Sequence, residues 1–233
     1  SAGTAYVYSV KEVVPVGYAS EQTGNDFANT AITTSVSGEK SWTLIDGETK
    51  PTVTIELYRV PAGAEGTDPY RTTTVKADDT YEFTDLPTHN SAGTAYVYSV
   101  KEVVPVGYKS VQTGNDFANT AITTSVSLTK SWNLAEGETA PDVVFNLVRL
   151  VDGAAVSPNP YKTHTLLSGE TSYTFAGLPT HDDEGNPYTY DVQEVTPTGY
   201  SSVKGEGNAF TNTANTTSVS LTKSWNLAEG ETA

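Results

Sequence analysis

Cysteine and methionine are both absent from the 233 residues. Without cysteine there can be no disulfide framework, no thiolate metal site and no cysteine nucleophile. Without either sulfur residue the chain offers no ready target for oxidation, which suits an extracellular location. A chain with no methionine even at position 1 reads as a fragment or a processed product. Positive charge is also scarce, with 13 Lys and Arg against 28 Asp and Glu, for a net charge of −15. Such a surface repels nucleic acid and anionic membranes, and it keeps the chain soluble. No hydrophobic run approaches the roughly 20 residues that a membrane span needs, and no signal-peptide pattern is visible. No segment shows a sustained helical period with caps.

What is present is Thr, Val and Tyr in short runs punctuated by turn residues, the signature of an all-β chain. Above all, the sequence repeats. Residues 1–32 recur at 91–122 with two changes, Ala19 to Lys109 and Glu21 to Val111. Residues 123–140, TTSVSLTKSWNLAEGETA, recur unchanged at 216–233. The repeat pattern predicts four pieces. Residues 1–32 are the C-terminal part of one repeat, 33–122 and 123–215 are complete domains, and 216–233 form the first strand of a further repeat. A unit of about 90 residues is large enough to be a small independent domain and too long for the common solenoid periods. The expectation is a window cut from a longer array.

In the first complete repeat the pattern predicts strands at Thr34–Thr43, Val53–Val60, Tyr70–Val75, Thr80–Thr84, Ala95–Val103 and Asp116–Thr120. A loop at Pro61–Pro69 and turns at Ala77-Asp78-Asp79 and Pro105-Val106-Gly107-Tyr108 separate them, and Leu86-Pro87 ends the fourth strand. The second repeat follows the same scheme. Short strands spaced by turns point to a β-sandwich.

Residues two apart on a strand share a face. Val36, Lys40 and Trp42 share one, as do Val126, Leu128, Lys130 and Trp132. On the long strand Glu102 falls in register with Tyr98 and Val100, and Glu194 with Tyr190 and Val192. On the closing strand Asn119 follows Phe117 in register, and Asn212 follows Phe210. Each repeat therefore directs a lysine, a glutamate and an asparagine toward its apolar side. Buried unpaired charges are costly, so two outcomes are open to such a trio. One is a Lys–Glu ion pair with the asparagine hydrogen-bonded beside it. The other is condensation. Desolvation favours a neutral, nucleophilic amine and a protonated carboxyl, and the carboxyl can shuttle protons while the amine displaces ammonia from the amide. Parity places each residue inward but does not establish that the three meet.

Around these residues the chain resembles the B-type repeat domain of Gram-positive collagen-binding adhesins and pilins. The landmarks are Lys130-Ser131-Trp132, Ala140-Pro141, Phe145-Asn146-Leu147, Tyr173 through Pro179, Tyr190 through Glu194, Gly199-Tyr200 and Phe210 through Thr213. Lys40-Ser41-Trp42, Phe83 through Pro87, Val100-Lys101-Glu102, Gly107-Tyr108 and Asn119-Thr120 stand at the same places in the first repeat. The resemblance covers essentially the whole chain. It implies tandem prealbumin-like, Ig-like β-sandwiches with intramolecular isopeptide crosslinks Lys40–Asn119 and Lys130–Asn212, catalysed by Glu102 and Glu194. Glu12 and Asn29 would then lack a lysine, and Lys223 would lack both partners. The resemblance further implies a structural stalk of an extracellular, cell-surface or fibrillar protein. Its partners would be neighbouring repeats and other fibre subunits, and no cofactor is called for. The competing expectation is a ligand-binding adhesin repeat that recognises a host protein or glycan. No sortase sorting signal and no pilin-type lysine motif is visible.

Other polar groups carry less. His89, His164 and His181 are scattered, with His89 and His181 both following Leu-Pro-Thr in a predicted loop. Asp182, Asp183 and Glu184 match no calcium-loop spacing, so a solvated hairpin is expected there. Tyr96 and Tyr98 lie on an alternating strand and are expected to pack across strands.

Overall fold

A computed structural model describes residues 3–64, 66–76 and 79–232. It divides into two compact units, Ser1–Thr124 with Leu178–Pro187, and Ser125–Gly177 with Tyr188–Ala233. No helix among the described residues is long and apolar enough to cross a membrane.

In the first unit a hairpin of β1 (Tyr18–Thr23) and β2 (Asp26–Ala31) precedes a two-sheet sandwich. One sheet contains β3 (Thr33–Thr43), β6 (Thr80–Pro87), β8 (Tyr108–Thr113) and β9 (Asp116–Ala121), in the order β6-β3-β9-β8. The other contains β4 (Val53–Pro61), β5 (Arg71–Val75) and β7 (Tyr96–Val103), in the order β5-β4-β7. The alternating pattern of β4 turns Val53, Ile55 and Leu57 inward. They meet Val75, Val100, Tyr81, Phe83, Leu86 and Phe117 in one buried cluster drawn from both sheets. Burying a side chain of this kind contributes about 1.5–3 kcal/mol.

The second unit repeats this plan. The order β14-β10-β17-β16 joins β14 (Ser172–Pro179), β10 (Thr123–Asn133), β17 (Ala209–Ala214) and β16 (Tyr200–Lys204). The opposing sheet centres on β11 (Val143–Val151), which pairs with β12 (Ala154–Ala155), β13 (Lys162–Leu166) and β15 (Thr189–Val195). The fold is all-β, a tandem of prealbumin-like sandwiches.

Two features differ from the strand pattern read in the sequence. The fourth strand runs through Leu86 and Pro87 instead of ending before them. In addition, Tyr108–Thr113 is a strand that the pattern missed. It is a sheet edge exposed on most of its length, so it carries no apolar alternation to read. The turn before it forms as expected. Tyr108 N–H donates to Pro105 O at 3.2 Å, and Gly107 takes the φ of +86° that a type II turn requires at its third residue. The turn expected at 77–79 falls partly on Ala77 and Asp78, which lie outside the described residues.

The topological point that matters for the site is the pairing of first and last strands. β3 runs parallel to β9, with Lys40 opposite Phe117 and Trp42 opposite Asn119. β10 runs parallel to β17, with Lys130 opposite Phe210 and Trp132 opposite Asn212.

Candidate functional site

Each sandwich brings its lysine, glutamate and asparagine together. Parallel pairing puts lysine and asparagine on neighbouring strands of one sheet, two positions out of register and on the same face. The glutamate comes from the facing sheet, on β7 or β15, opposite Ile55 or Phe145. In the first sandwich Lys40 Nζ lies 3.6 Å from Glu102 Oε1, and the two side chains are 0% and 1% exposed. Asn119 Nδ2 donates to the same Glu102 Oε1 at 2.7 Å. In the second, Lys130 Nζ lies 3.7 Å from Glu194 Oε2, and Asn212 Nδ2 donates to Glu194 Oε1 at 2.5 Å.

The surroundings are dry and largely apolar. Burial lowers the lysine pKa at both Lys40 and Lys130, while the charge and hydrogen bonding of the partner glutamate oppose that shift in part. The net effect enlarges the share of neutral amine, the form that acts as a nucleophile. Aromatic rings close over the amine. Lys40 Nζ lies 4.1 Å from the Trp42 ring, and Trp42 meets Tyr108 edge-on at 5.0 Å. Lys130 lies 3.9 Å from Trp132, which meets Tyr200 edge-on at 5.0 Å. Tyr81 also feels Glu102, and burial with nearby carboxylates pushes its hydroxyl up to about 12.

Asn119 Oδ1 and Asn212 Oδ1 are buried and accept no hydrogen bond from a described residue. A side-chain amide can be turned by 180° about its last bond. In the orientation seen, the carboxyl sits at Nδ2, the nitrogen that would leave. In the turned orientation a protonated carboxyl would donate to Oδ1 and polarise the carbonyl for attack. One glutamate thus stands where both halves of an amide exchange need an acid.

The incomplete pieces behave differently. Glu12 accepts from Asn29 Nδ2 at 2.5 Å and from Ser20 Oγ at 2.6 Å, and forms no ion pair with a lysine among the described residues. Lys223 lies 3.6 Å from the Trp225 ring, in a stretch with no strand. Two residues escaped the sequence reading. Ser110, on the missed strand β8, donates to Glu102 Oε2 at 2.5 Å. Tyr108 was read as part of a turn and as a family landmark, and its packing on Trp42 was not foreseen.

The remaining polar groups take up structural roles. His164 stacks on Tyr173 at 3.4 Å. His89 and His181 each contact the threonine before them through Nδ1 at 3.0 Å. Asp182 spends its oxygens on its own hairpin, accepting from Glu184 N–H, Asn186 N–H and Asn186 Nδ2. Among the described residues no cluster of three His, Asp or Glu is arranged to hold a metal ion. Tyr96 and Tyr98 pack as aromatic neighbours, with Arg59 lying over the Tyr96 ring at 4.5 Å.

A family model described as the Cna protein B-type domain matches residues 36–123 and 126–213. Among solved structures, a single B repeat unit of the collagen-binding surface protein of Staphylococcus aureus is 27% identical. That match covers 79% of this chain and 100% of that one, with a TM-score of 0.34. A two-repeat unit of the same protein is 26% identical over 84% of this chain and 55% of that one, with a TM-score of 0.36. The major pilin of Streptococcus pyogenes is 14% identical over 77% of this chain and 96% of that one, with a TM-score of 0.46. The search of curated proteins returned no match.

Proposed function

The chain belongs to the Cna protein B-type domain family, and from that premise we propose that its repeats are force-bearing spacers of a cell-surface or fibre protein, each locked by its own Lys–Asn amide. The observation that carries this reading is the buried trio, built twice from the same strands.

The chemistry is a single self-directed event, without turnover on an outside substrate. Neutral Lys40 Nζ attacks Asn119 Cγ. Glu102 takes a proton from Nζ as the N–C bond forms and delivers one to Nδ2. The Cγ–Nδ2 bond then breaks and ammonia leaves. Lys130, Glu194 and Asn212 do the same in the second repeat. No cofactor is needed, because proximity in a dry core supplies the driving geometry.

Strand topology explains what such a bond would achieve. In a parallel pair, the start of the first strand and the end of the last lie at opposite ends of one ladder. Tension along the chain therefore shears β3 against β9. A covalent tie across that ladder shields about 80 intervening residues, which could otherwise release about 270 Å of chain at about 3.4 Å per residue. The tie also constrains the unfolded chain, by about 4–5 kcal/mol in the chain-entropy account for a loop of this length. The recurrence of 1–32 at 91–122 with two changes, and of 123–140 unchanged at 216–233, turns included, favours a spacer over a specialised binder. A cell-surface setting agrees with the Gram-positive surface protein and pilin to which the chain is similar.

Intact-mass measurement tests this directly. Two closed bonds lower the mass by about 34 Da, one ammonia per complete repeat. A mass equal to that of the sequence would reject the proposal. The domain limits 33–122 and 123–215 are tested by the same experiment, since each proteolytic half should carry one loss.

A further inference from the structure

The two trios are not wired alike, and the difference lies in a serine. Ser110 on β8 stands directly opposite Asn119 on β9, and Ser202 on β16 stands directly opposite Asn212 on β17. In the first repeat both oxygens of Glu102 are taken: Oε2 accepts from Ser110, and Oε1 accepts from Asn119. Lys40 consequently faces Oε1, the same oxygen that faces the amide. In the second repeat the buried Glu194 Oε2 accepts no hydrogen bond from a described residue, and it is this oxygen that Lys130 faces. Its other oxygen faces Asn212.

Building on the amide-forming reading above, we propose that Ser110 is a positioning residue that confines the proton relay of the first repeat to one carboxylate oxygen. There, the proton leaving Lys40 Nζ arrives on Oε1 and departs from Oε1 to Asn119 Nδ2. In the second repeat it arrives on Oε2, and the carboxyl turns about its Cγ–Cδ bond to carry that proton to Asn212 Nδ2. The proton count is the same in both: Nζ loses one, Nδ2 gains one, and the carboxyl ends as it began.

The serine contact is local to the hairpin. Ser20 makes the same bond to Glu12 at 2.6 Å, where among the described residues no lysine is ion-paired to that carboxylate, on a hairpin of the same register. There it is the leading cause, ahead of Asn29, that holds the Glu12 carboxyl below the ordinary carboxylate range. A hydroxyl that donates to a carboxylate favours the ionised form. The groups facing Glu102 are Lys40 from β3, Tyr81 from β6, Ser110 from β8 and Asn119 from β9, with apolar Ile55 opposite on β4. Tyr81 stays neutral up to about pH 12, so the acid side of the reaction belongs to the Lys–Glu pair.

The test uses the full chain, purified in guanidinium chloride before any bond forms and folded by dilution at a series of pH values. Peptide mapping by mass spectrometry then follows ammonia loss in each repeat separately. In the native chain, the first repeat loses ammonia several-fold faster than the second, because its relay needs no turn of the carboxyl. Ser110→Ala slows the first repeat toward the rate of the second. Ser110→Thr, which keeps the hydroxyl, restores it, and Ser202→Ala leaves the second-repeat rate unchanged. A first-repeat rate unchanged by Ser110→Ala, or slowed equally by Ser110→Thr, overturns the assignment to Ser110 while amide formation stands. Loss of ammonia from neither repeat at any pH overturns the amide reading itself.

Discussion

Residues 1–32 and 91–122 differ at two positions, yet they fold differently. In the second copy Tyr96–Val103 is strand β7, and Val100 is 3% exposed in the core. In the first copy residues 3–15 form no strand, and the equivalent Val10 is 48% exposed. The hairpin that follows forms in both, with matching register. The contrast separates two kinds of strand. A hairpin needs only its own turn and its partner one turn away. β7 needs β4, about 40 residues earlier, because β4 is its ladder partner among the described residues. The last piece teaches the same lesson: TTSVSLTKSWN is strand β10 at 123–133 and has no strand at 216–226.

The largest effect should come from removing the lysine. Lys40→Ala leaves Glu102 as Glu12 is now, with its serine and asparagine but no amine. If the amide forms in the native chain, one ammonia returns to the mass and the first repeat loses about 4–5 kcal/mol, a melting shift on the order of 20–30 °C. Amide exchange in β7 should remain protected at low temperature. If it does not, the crosslink and not β4 accounts for the contrast.

Truncating the partner strand comes next. Leu57 is fully buried and lies opposite Val100. Leu57→Ala should cost about 2–5 kcal/mol and raise hydrogen exchange across 96–103 toward that of residues 6–13. Unchanged exchange in that strand would show that β4 is not what orders it.

A smaller effect follows from pH. In Asn119→Ala the amine cannot react, and burial still lowers the Lys40 pKa from its ordinary value. The folded state then binds fewer protons than the unfolded state between the lowered pKa and the ordinary lysine value. Stability should therefore rise with pH through that window, and the cost of burying the charged amine is complete below it. Melting temperatures between pH 7 and 9.5, compared with the Lys40→Ala/Asn119→Ala pair of changes, would show this. A parallel slope in both proteins would contradict it.

The smallest effect is expected where the two copies differ in sequence. Lys109 and Val111 are exposed on edge strand β8. Placing them in the first copy as Ala19→Lys and Glu21→Val should change stability by no more than about 0.5 kcal/mol and leave residues 3–15 without a strand. A strand appearing there would make sequence, and not missing partners, the cause of the contrast.

A second contrast, between the two complete repeats, shows how a core adapts. Leu128 is fully buried, but Gly38 occupies the equivalent place. A Cβ at position 38 would fall on the Asn115 carbonyl and the Tyr81 hydroxyl, which are hydrogen-bonded to each other. Tyr81 thus takes the volume that Leu128 fills in the second repeat.

Much of this was readable from residue order. The repeat offsets, the alternation on β4 and β7, and the inward parity of Lys40, Glu102 and Asn119 are all periodic signals, and periodicity is a local property of the chain. The missed strand β8 and its Ser110 were not readable, because an exposed edge has no apolar rhythm. Nor could parity establish that the three polar side chains meet.

Residue order by itself determined which side chains turn toward the apolar side, because alternation is imposed by backbone geometry two residues at a time. Only the tertiary structure decided which strands exist and which oxygen each lysine faces. A strand's inner face is stable only against another sheet, and the groups that surround a carboxylate sit on other strands that only folding brings to it.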